Sequence, residues 1–140
     1  MKRPSVSAIG TGLLGLVCAA ALAAPALAPH DPGTSFRDRA FAPPMPLRIV
    51  AEDGSWHAPF VYPLRLADRL EQRFEEDRSR RLPLSFFSGG RLVRLEDERD
   101  GPWLPLGADG AGRDVLARLL FGSRTSLGLA LAASLAAILL

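Results

Sequence analysis

The sequence predicts a mainly α-helical integral membrane protein, because two uncharged segments flank a polar middle. No residue from Pro4 to Pro29 is charged, and none is charged from Thr125 to Leu140. A soluble core would instead spread its apolar residues periodically along the chain. We therefore expect a cytoplasmic N-terminus (1–5), a first transmembrane helix (6–28), a periplasmic loop (29–105), an amphipathic segment (106–124) and the start of a second transmembrane helix (125–140).

The charge pattern argues against nucleic acid as a partner. The pI is about 9.3, but Lys2 is the only lysine, and the residues from His30 to Arg124 hold 15 arginines and 15 acids. Binding to phosphates needs clustered basic residues, whereas here they are interleaved with acids. The net charge of +2 comes from Lys2 and Arg3 alone.

The first apolar segment is long enough to cross the roughly 30 Å hydrocarbon core of a bilayer. Lys2 and Arg3 would remain in the cytoplasm. A cleaved signal peptide is the alternative, since the small-residue stretch Ala21 to Ala28 ends in a small-x-small site, Ala26-Leu27-Ala28. Pro29 directly after that site, and the second apolar segment, count against cleavage. Cys18 has no partner at a disulfide or metal-site spacing and is expected to be an apolar packing residue.

The last sixteen residues would form a helix of only about 24 Å, which is short for a full crossing. We expect the sequence to be an N-terminal fragment of a longer protein. The alternative, a helix that ends inside the bilayer, would place a carboxylate at a costly depth.

The middle segment predicts two hairpins and a helix. Asp53-Gly54 and Gly89-Gly90 each lie between apolar runs and are typical of tight hairpin turns. Between them, Leu66, Leu70 and Phe74 recur at a spacing of four after Pro63, with charged residues at the other positions. This spacing predicts a helix with a solvated, charged face.

The sequence indicates no catalytic, cofactor or metal site. His30 and His57 are the only histidines, and no third ligand stands at a metal-site spacing, so both are expected to be solvated loop residues. The glycines around residue 110 lack the order of a phosphate-binding loop. Ser123, Thr125 and Ser126 have no general base at a recognisable spacing.

The stretch LGADGAGRDVLARLLFGSRTSL, Leu106 to Leu127, predicts the beginning of a helix. Asp109 would cap a helix starting near Gly110, Asp114 would pair with Arg118, and Gly122 would end the helix. Arg124 would mark the membrane interface. On physical grounds alone, this is an amphipathic helix at the membrane surface, with or without a specific role.

This stretch resembles the segment before the second membrane helix in permease subunits of peptide-type ABC transporters, the dipeptide/oligopeptide/nickel family. Ala24 to Pro32 is similar to the exit of the first helix in that family, and the segment around Asp53 to Trp56 is similar to the periplasmic insertion of some branches. Ala108 stands where the family usually has threonine. The signature residues carried over are Gly107, Asp109, Gly112, Arg113, Asp114, Arg118, Gly122 and Arg124.

The resemblance implies a permease subunit in the bacterial inner membrane. Its partners would be a second permease subunit, two cytoplasmic ATPases, a periplasmic solute-binding protein and the lipid bilayer. The resemblance also implies that Arg113 packs against the permease core. A secreted binding module and a small membrane-anchored structural protein remain the alternative functions.

Overall fold

The computed structural model describes residues 6–97, 99 and 101–139. The prediction of a mainly α chain was wrong, because the segment after the first helices forms six strands in two sheets. The predicted cytoplasmic residues 1–5, with Lys2 and Arg3, lie outside the described residues. The elements in chain order are α1 (Val6–Leu22), α2 (Ala24–Leu27), β1 (Arg48–Val50), β2 (Trp56–Val61), β3 (Leu64–Asp68), β4 (Arg73–Glu76), β5 (Leu82–Ser88), β6 (Arg91–Leu95) and α3 (Val115–Leu139).

The N-terminal helix breaks earlier than predicted. Helix α1 ends at Leu22, and the single turn α2 follows after Ala23, so the expected helix over 6–28 is divided. Among the described residues, only Val115–Leu139 forms a helix that is long and apolar enough to cross a membrane, so the prediction of two such helices was wrong. Pro25 lies in the first turn of α2. Because proline has no N–H and its ring clashes with the carbonyl four residues earlier, it interrupts a continuous helix at this point.

The larger sheet has the strand order β1-β2-β5-β6, with antiparallel pairing throughout. The two predicted hairpins are confirmed. Gly54 lies in the β1–β2 turn, and Gly89 and Gly90 form the β5–β6 turn, all three with positive φ angles. Glycine adopts this backbone conformation without steric cost, which is why these local signals were reliable.

The predicted helix after Pro63 is instead a two-stranded sheet made of β3 and β4. Along β3, buried or half-buried side chains alternate with exposed ones, which is the period of a strand. Leu70, expected on the apolar face of the helix, is 95% exposed in the connecting turn. Asp68 accepts hydrogen bonds from the N–H groups of Leu70 and Glu71, and this turns the chain away from a helical path.

The apolar core lies between the two sheets' inner residues and the segments that flank them. It contains the buried residues Ala42, Met45, Val61, Leu64, Leu82, Leu84, Leu95, Trp103 and Leu104. The indole N–H of Trp103 donates to the carbonyl oxygen of Met45 at 3.2 Å, so this buried polar group is satisfied. The core therefore ties the chain before β1 to the chain after β6.

Helix α3 is one continuous helix where the sequence predicted an amphipathic segment followed by a separate membrane helix. It begins at Val115, not near Gly110, and Gly122 lies in its interior instead of ending it. Its 25 residues are long and apolar enough to span a membrane. At 1.5 Å per residue the helix measures about 37 Å, which exceeds the hydrocarbon thickness of a bilayer.

Candidate functional site: the junction between the N-terminal helices and α3

Two segments meet where the chain leaves α2 and enters α3. We call residues 28–45 the exit segment and residues 106–114 the signature loop. Hydrogen bonds of ordinary length join their backbones, and the hydroxyl of Ser35 adds one more. They run from the N–H of Phe36 to the carbonyl of Gly112 (2.9 Å), from Phe41 N–H to Asp109 O (3.1 Å), from Ala108 N–H to Ala42 O (2.9 Å) and from Ser35 Oγ to Ala111 O (2.6 Å).

Two glycines of the signature loop allow this close approach. Gly112 has φ +71°, and a Cβ atom added there would lie 2.0 Å from the carbonyl oxygen of Phe36. Gly107 has φ +78°, and its Cβ would lie 2.5 Å from the carbonyl oxygen of Ala42. Both contacts are to backbone atoms, which cannot rotate away as a side chain can. The resemblance singled out both glycines, and each has a steric reason to be glycine.

Asp109 organises the signature loop and does not cap a helix. Its carboxylate accepts hydrogen bonds from the N–H groups of Arg113 and Ala111, each at 2.9 Å. It also accepts from the side chains of Arg118 and, at 3.0 Å, of Arg113. The N–H of Arg113, then that of Ala111 and the two guanidinium groups lower the pKa of Asp109 from 3.8 to about 2. The carboxylate is therefore expected to remain ionised under all physiological conditions.

This pKa predicts how the signature loop responds to acid. A carboxyl group with a lowered pKa in the folded chain stabilises the fold above its unfolded pKa, and that contribution is lost as the pH falls from about 4 towards about 2. We expect the amide NMR signals of Ala111 and Arg113 to titrate in this range. The Asp109→Asn variant should lack the titration. Asp53 and Asp77 also have lowered pKa values, because they accept hydrogen bonds from the hydroxyl and N–H groups of Ser55 and Ser79, respectively. They lie in other turns, so their titration should not move the signals of Ala111 and Arg113.

Asp114 is fully buried and is the N-cap residue of α3. One carboxylate oxygen, Oδ1, accepts hydrogen bonds from the N–H groups of Leu116 (2.9 Å) and Ala117 (3.4 Å). The other oxygen, Oδ2, lies 3.0 Å from Nδ1 of His30. Its predicted pairing with Arg118 does not form in the structure, since Arg118 reaches Asp109 instead. The first turn of α3 is thus held by a residue that is itself attached to the exit segment.

His30 was expected to be a solvated loop residue, and this expectation was wrong. Its side chain is 9% exposed, and its ring packs edge-on against Phe36 with 5.0 Å between ring centroids. Nothing in the spacing of the sequence connects residue 30 with residue 114, so the contact could only be found in three dimensions. His57, by contrast, is exposed on β2.

Of the remaining signature residues, Gly122 and Arg124 lie on α3 beside α1. Gly122 lines a groove with Val17 and Ser126, and a Cβ at this position would meet no atom within 4 Å. Arg124 lines a second groove with Cys18 and Leu22. Arg113 lies on the signature loop, where its Nε pairs with Asp109 and not with a carboxylate on another helix. Its predicted packing against the permease core stays a prediction.

The junction brings together Asp109, Asp114 and His30. The two carboxylates accept hydrogen bonds from backbone N–H groups of the signature loop and of the first turn of α3, and His30 contacts Asp114. Within residues 6–97, 99 and 101–139, no cluster of three or more His, Cys, Asp or Glu side chains could hold a metal ion. Comparisons with protein-family models, with curated proteins and with solved structures find no match. The resemblance to peptide-type permeases therefore rests on the residues quoted for it.

Proposed function

We propose that the chain is part of a membrane-spanning permease subunit of an ATP-driven importer for peptides or similar small solutes. The observation that carries the proposal is the set of hydrogen bonds between the exit segment and the signature loop, which we call the clamp. The two segments that resemble the permease family, Ala24 to Pro32 and Leu106 to Leu127, contact each other through the His30–Asp114 pair. A resemblance by chance would give no reason for these distant segments to meet.

The surface of α3 supports a membrane location. Leu129 and Leu131 face nearly opposite sides of the helix, and both are about two-thirds exposed at 68% and 66%. Such an apolar surface on all sides suits lipid or neighbouring membrane helices. The hydroxyl groups of Ser123, Thr125 and Ser134 donate to the carbonyls four residues earlier. Polar groups satisfied within their own helix are compatible with a bilayer.

Contacts of the N-terminal helices support retention of α1 over cleavage of a signal peptide. Ala21, Ala24 and Ala28 are buried at 2%, 0% and 0% exposure. The guanidinium group of Arg91 donates to the carbonyl oxygen of Ala28 at 2.7 Å. We call residues 48–95, which contain both sheets, the β domain. Cleavage near Ala24 or Ala28 would remove side chains that pack against the β domain and α3, and a secreted module would need other contacts in their place.

In the proposed subunit, the junction sets how α3 enters the membrane relative to α1. Arg118 joins α3 to Asp109, while Asp114 joins its first turn to His30. No catalytic step is assigned to this chain, since ATP hydrolysis would take place on the partner ATPases. The second permease subunit and the periplasmic binding protein complete the proposed assembly.

Orientation is tested with reporters fused after Gly89. Since Lys2 and Arg3 precede α1, the positive-inside tendency places the N-terminus in the cytoplasm and the β domain in the periplasm. We expect alkaline phosphatase at this site to be active and a cytoplasm-dependent fluorescent protein at the same site to be dark. The reverse pattern would refute the orientation. A mature protein starting near Ala24 or Pro29 would favour the secreted module.

Function is tested by deleting the chromosomal gene and measuring uptake of radiolabelled di- and oligopeptides. We expect uptake to fall and to return with the wild-type gene. The tagged gene product, purified from solubilised membranes, should carry a second permease subunit and ATPases. Complementation with Gly112→Ala, which disturbs the clamp, should fail, whereas Gly54→Ala, in the open β1–β2 turn, should succeed. Unchanged uptake together with the absence of ATPases would overturn the proposal.

A further inference from the structure

The end of the β5–β6 hairpin projects beyond the rest of its sheet. Strand β2 pairs with β5 only at the start of β5, through Phe60↔Pro83 and Val61↔Leu82. The remainder of β5, from Leu84 to Ser88, pairs with β6 alone. We call residues 86–92 the hairpin tip. Within the part of the chain that the structure describes, the tip therefore has no third strand beside it.

The hairpin tip lies beside the end of the uncharged N-terminal segment. Arg91, the first residue of β6, donates from Nη1 to the carbonyl oxygen of Ala28 and from Nη2 to the carboxylate of Asp31, at 2.7 and 3.1 Å. The uncharged segment ends at Pro29, directly between these two partners. A bilayer that encloses α1 must therefore end close to the level of the tip.

The hairpin tip presents apolar side chains to the outside. Phe87 is 82% exposed, Phe86 is 46% exposed and Leu92 is 37% exposed. The register, with Phe86↔Val93 and Ser88↔Arg91, places Phe87 opposite Leu92. Phe87 also has φ +55°, a backbone region that bulky residues rarely occupy. Strained conformations of this kind concentrate at functional sites.

We propose that the hairpin tip is an interfacial membrane anchor, in which Phe86, Phe87 and Leu92 enter the boundary between lipid headgroups and acyl chains. The occupant of this surface is phospholipid, because the tip continues the apolar surface of the N-terminal helices at the depth where their uncharged segment ends. Apolar and aromatic side chains at this depth gain from burial while neighbouring polar groups stay hydrated. The proposal rests on the membrane location in the proposed function, with α3 as the span and the shorter apolar helix α1 packed beside it. The tip then fixes the height and tilt of the β domain above the bilayer.

Depth-dependent fluorescence quenching tests this anchor in the full chain. Cys18 is replaced by alanine, and single cysteines at Phe87, Leu70 or Leu135 are labelled with an environment-sensitive fluorophore. The protein is reconstituted into phosphatidylcholine and phosphatidylglycerol vesicles that contain lipids with a quencher at a shallow or a deep acyl position. Leu70, 95% exposed in the β3–β4 turn, is the matched control on the other sheet. Leu135, in the uncharged part of α3, reports on the membrane span itself.

We expect the shallow quencher to dim the label at residue 87 several-fold more than the label at residue 70. The deep quencher should act most strongly at residue 135, and aqueous iodide should act most strongly at residue 70. Leu92→Cys provides a second position on the opposite strand in case Phe87→Cys fails to fold. Labels at 87 and 92 as unquenched as the label at 70, with 135 quenched, would overturn the anchor and leave the tip to a protein partner. An unquenched label at 135 would refute the membrane span, and the anchor with it.

Discussion

The Gly112→Ala variant is expected to lose the contact between the signature loop and the exit segment. Its Cβ would lie 2.0 Å from the carbonyl oxygen of Phe36, and neither backbone can move without breaking the hydrogen bond between these residues. A left-handed conformation costs a non-glycine residue about 1–2 kcal/mol. Each buried backbone hydrogen bond left unmade costs about 1–3 kcal/mol more. We expect a total destabilisation of about 2–5 kcal/mol.

The matched control is Gly90→Ala in the β5–β6 turn. Gly90 has φ +76°, almost the same as Gly112, but its Cβ would meet no atom within 4 Å. The control therefore measures conformational strain alone, which should be about 1–2 kcal/mol. Urea unfolding in detergent micelles, followed by tryptophan fluorescence and far-UV circular dichroism, would give both values. Equal losses in the two variants would mean that the close approach of the loop contributes nothing to stability.

Local signals predicted the parts of the fold that depend on local backbone chemistry. Asp53-Gly54 and Gly89-Gly90 determine their hairpins because the turn itself demands glycine. The helix predicted after Pro63 failed because a spacing of four is compatible with two short strands when a turn separates the residues. Leu66 and Phe74 are cross-strand partners in β3 and β4, whereas Leu70 lies in the turn. On the predicted helix, Leu66 and Phe74 would lie about 12 Å apart along one face and would not be the direct neighbours that they are in the sheet.

The start of α3 illustrates a second limit. Asp109 and Asp114 are both good capping residues, and capping propensity cannot distinguish two residues of the same type. From the sequence we expect Asp109 to be the cap. The structure uses Asp114, because the glycines before it are fixed by the exit segment in conformations that a helix does not allow. That constraint comes from Phe36 and Ala42, about seventy residues away in sequence. Asp109, Asp114 and the two glycines were thus singled out in the sequence by the resemblance, whereas their roles, and the participation of His30, depended on long-range contacts.

The Asp114→Ala variant tests whether the junction depends on the buried pair. The substitution removes the N-cap of α3, which is worth about 1 kcal/mol, and leaves the ring of His30 without its partner, which costs about 1–3 kcal/mol. We expect a total loss of about 2–4 kcal/mol of unfolding free energy. The Asp114→Asn variant should lose less, because its amide oxygen can still accept the N–H of Leu116.

A double-mutant cycle separates the cap from the pair. His30→Ala removes the contact with Oδ2 and the packing of the ring against Phe36, whereas Asp114→Ala removes the contact with Oδ2 together with the cap. The ring packing and the cap each belong to one residue alone, so they cancel in the cycle. If the pair joins the exit segment to α3, the double variant should be less destabilised than the sum of the two single variants. Coupling energies between residues in direct contact are about 0.5–3 kcal/mol. Strictly additive losses would show that Asp114 acts only as a helix cap, and that the junction is held by the backbone clamp around Gly112 and not by this pair.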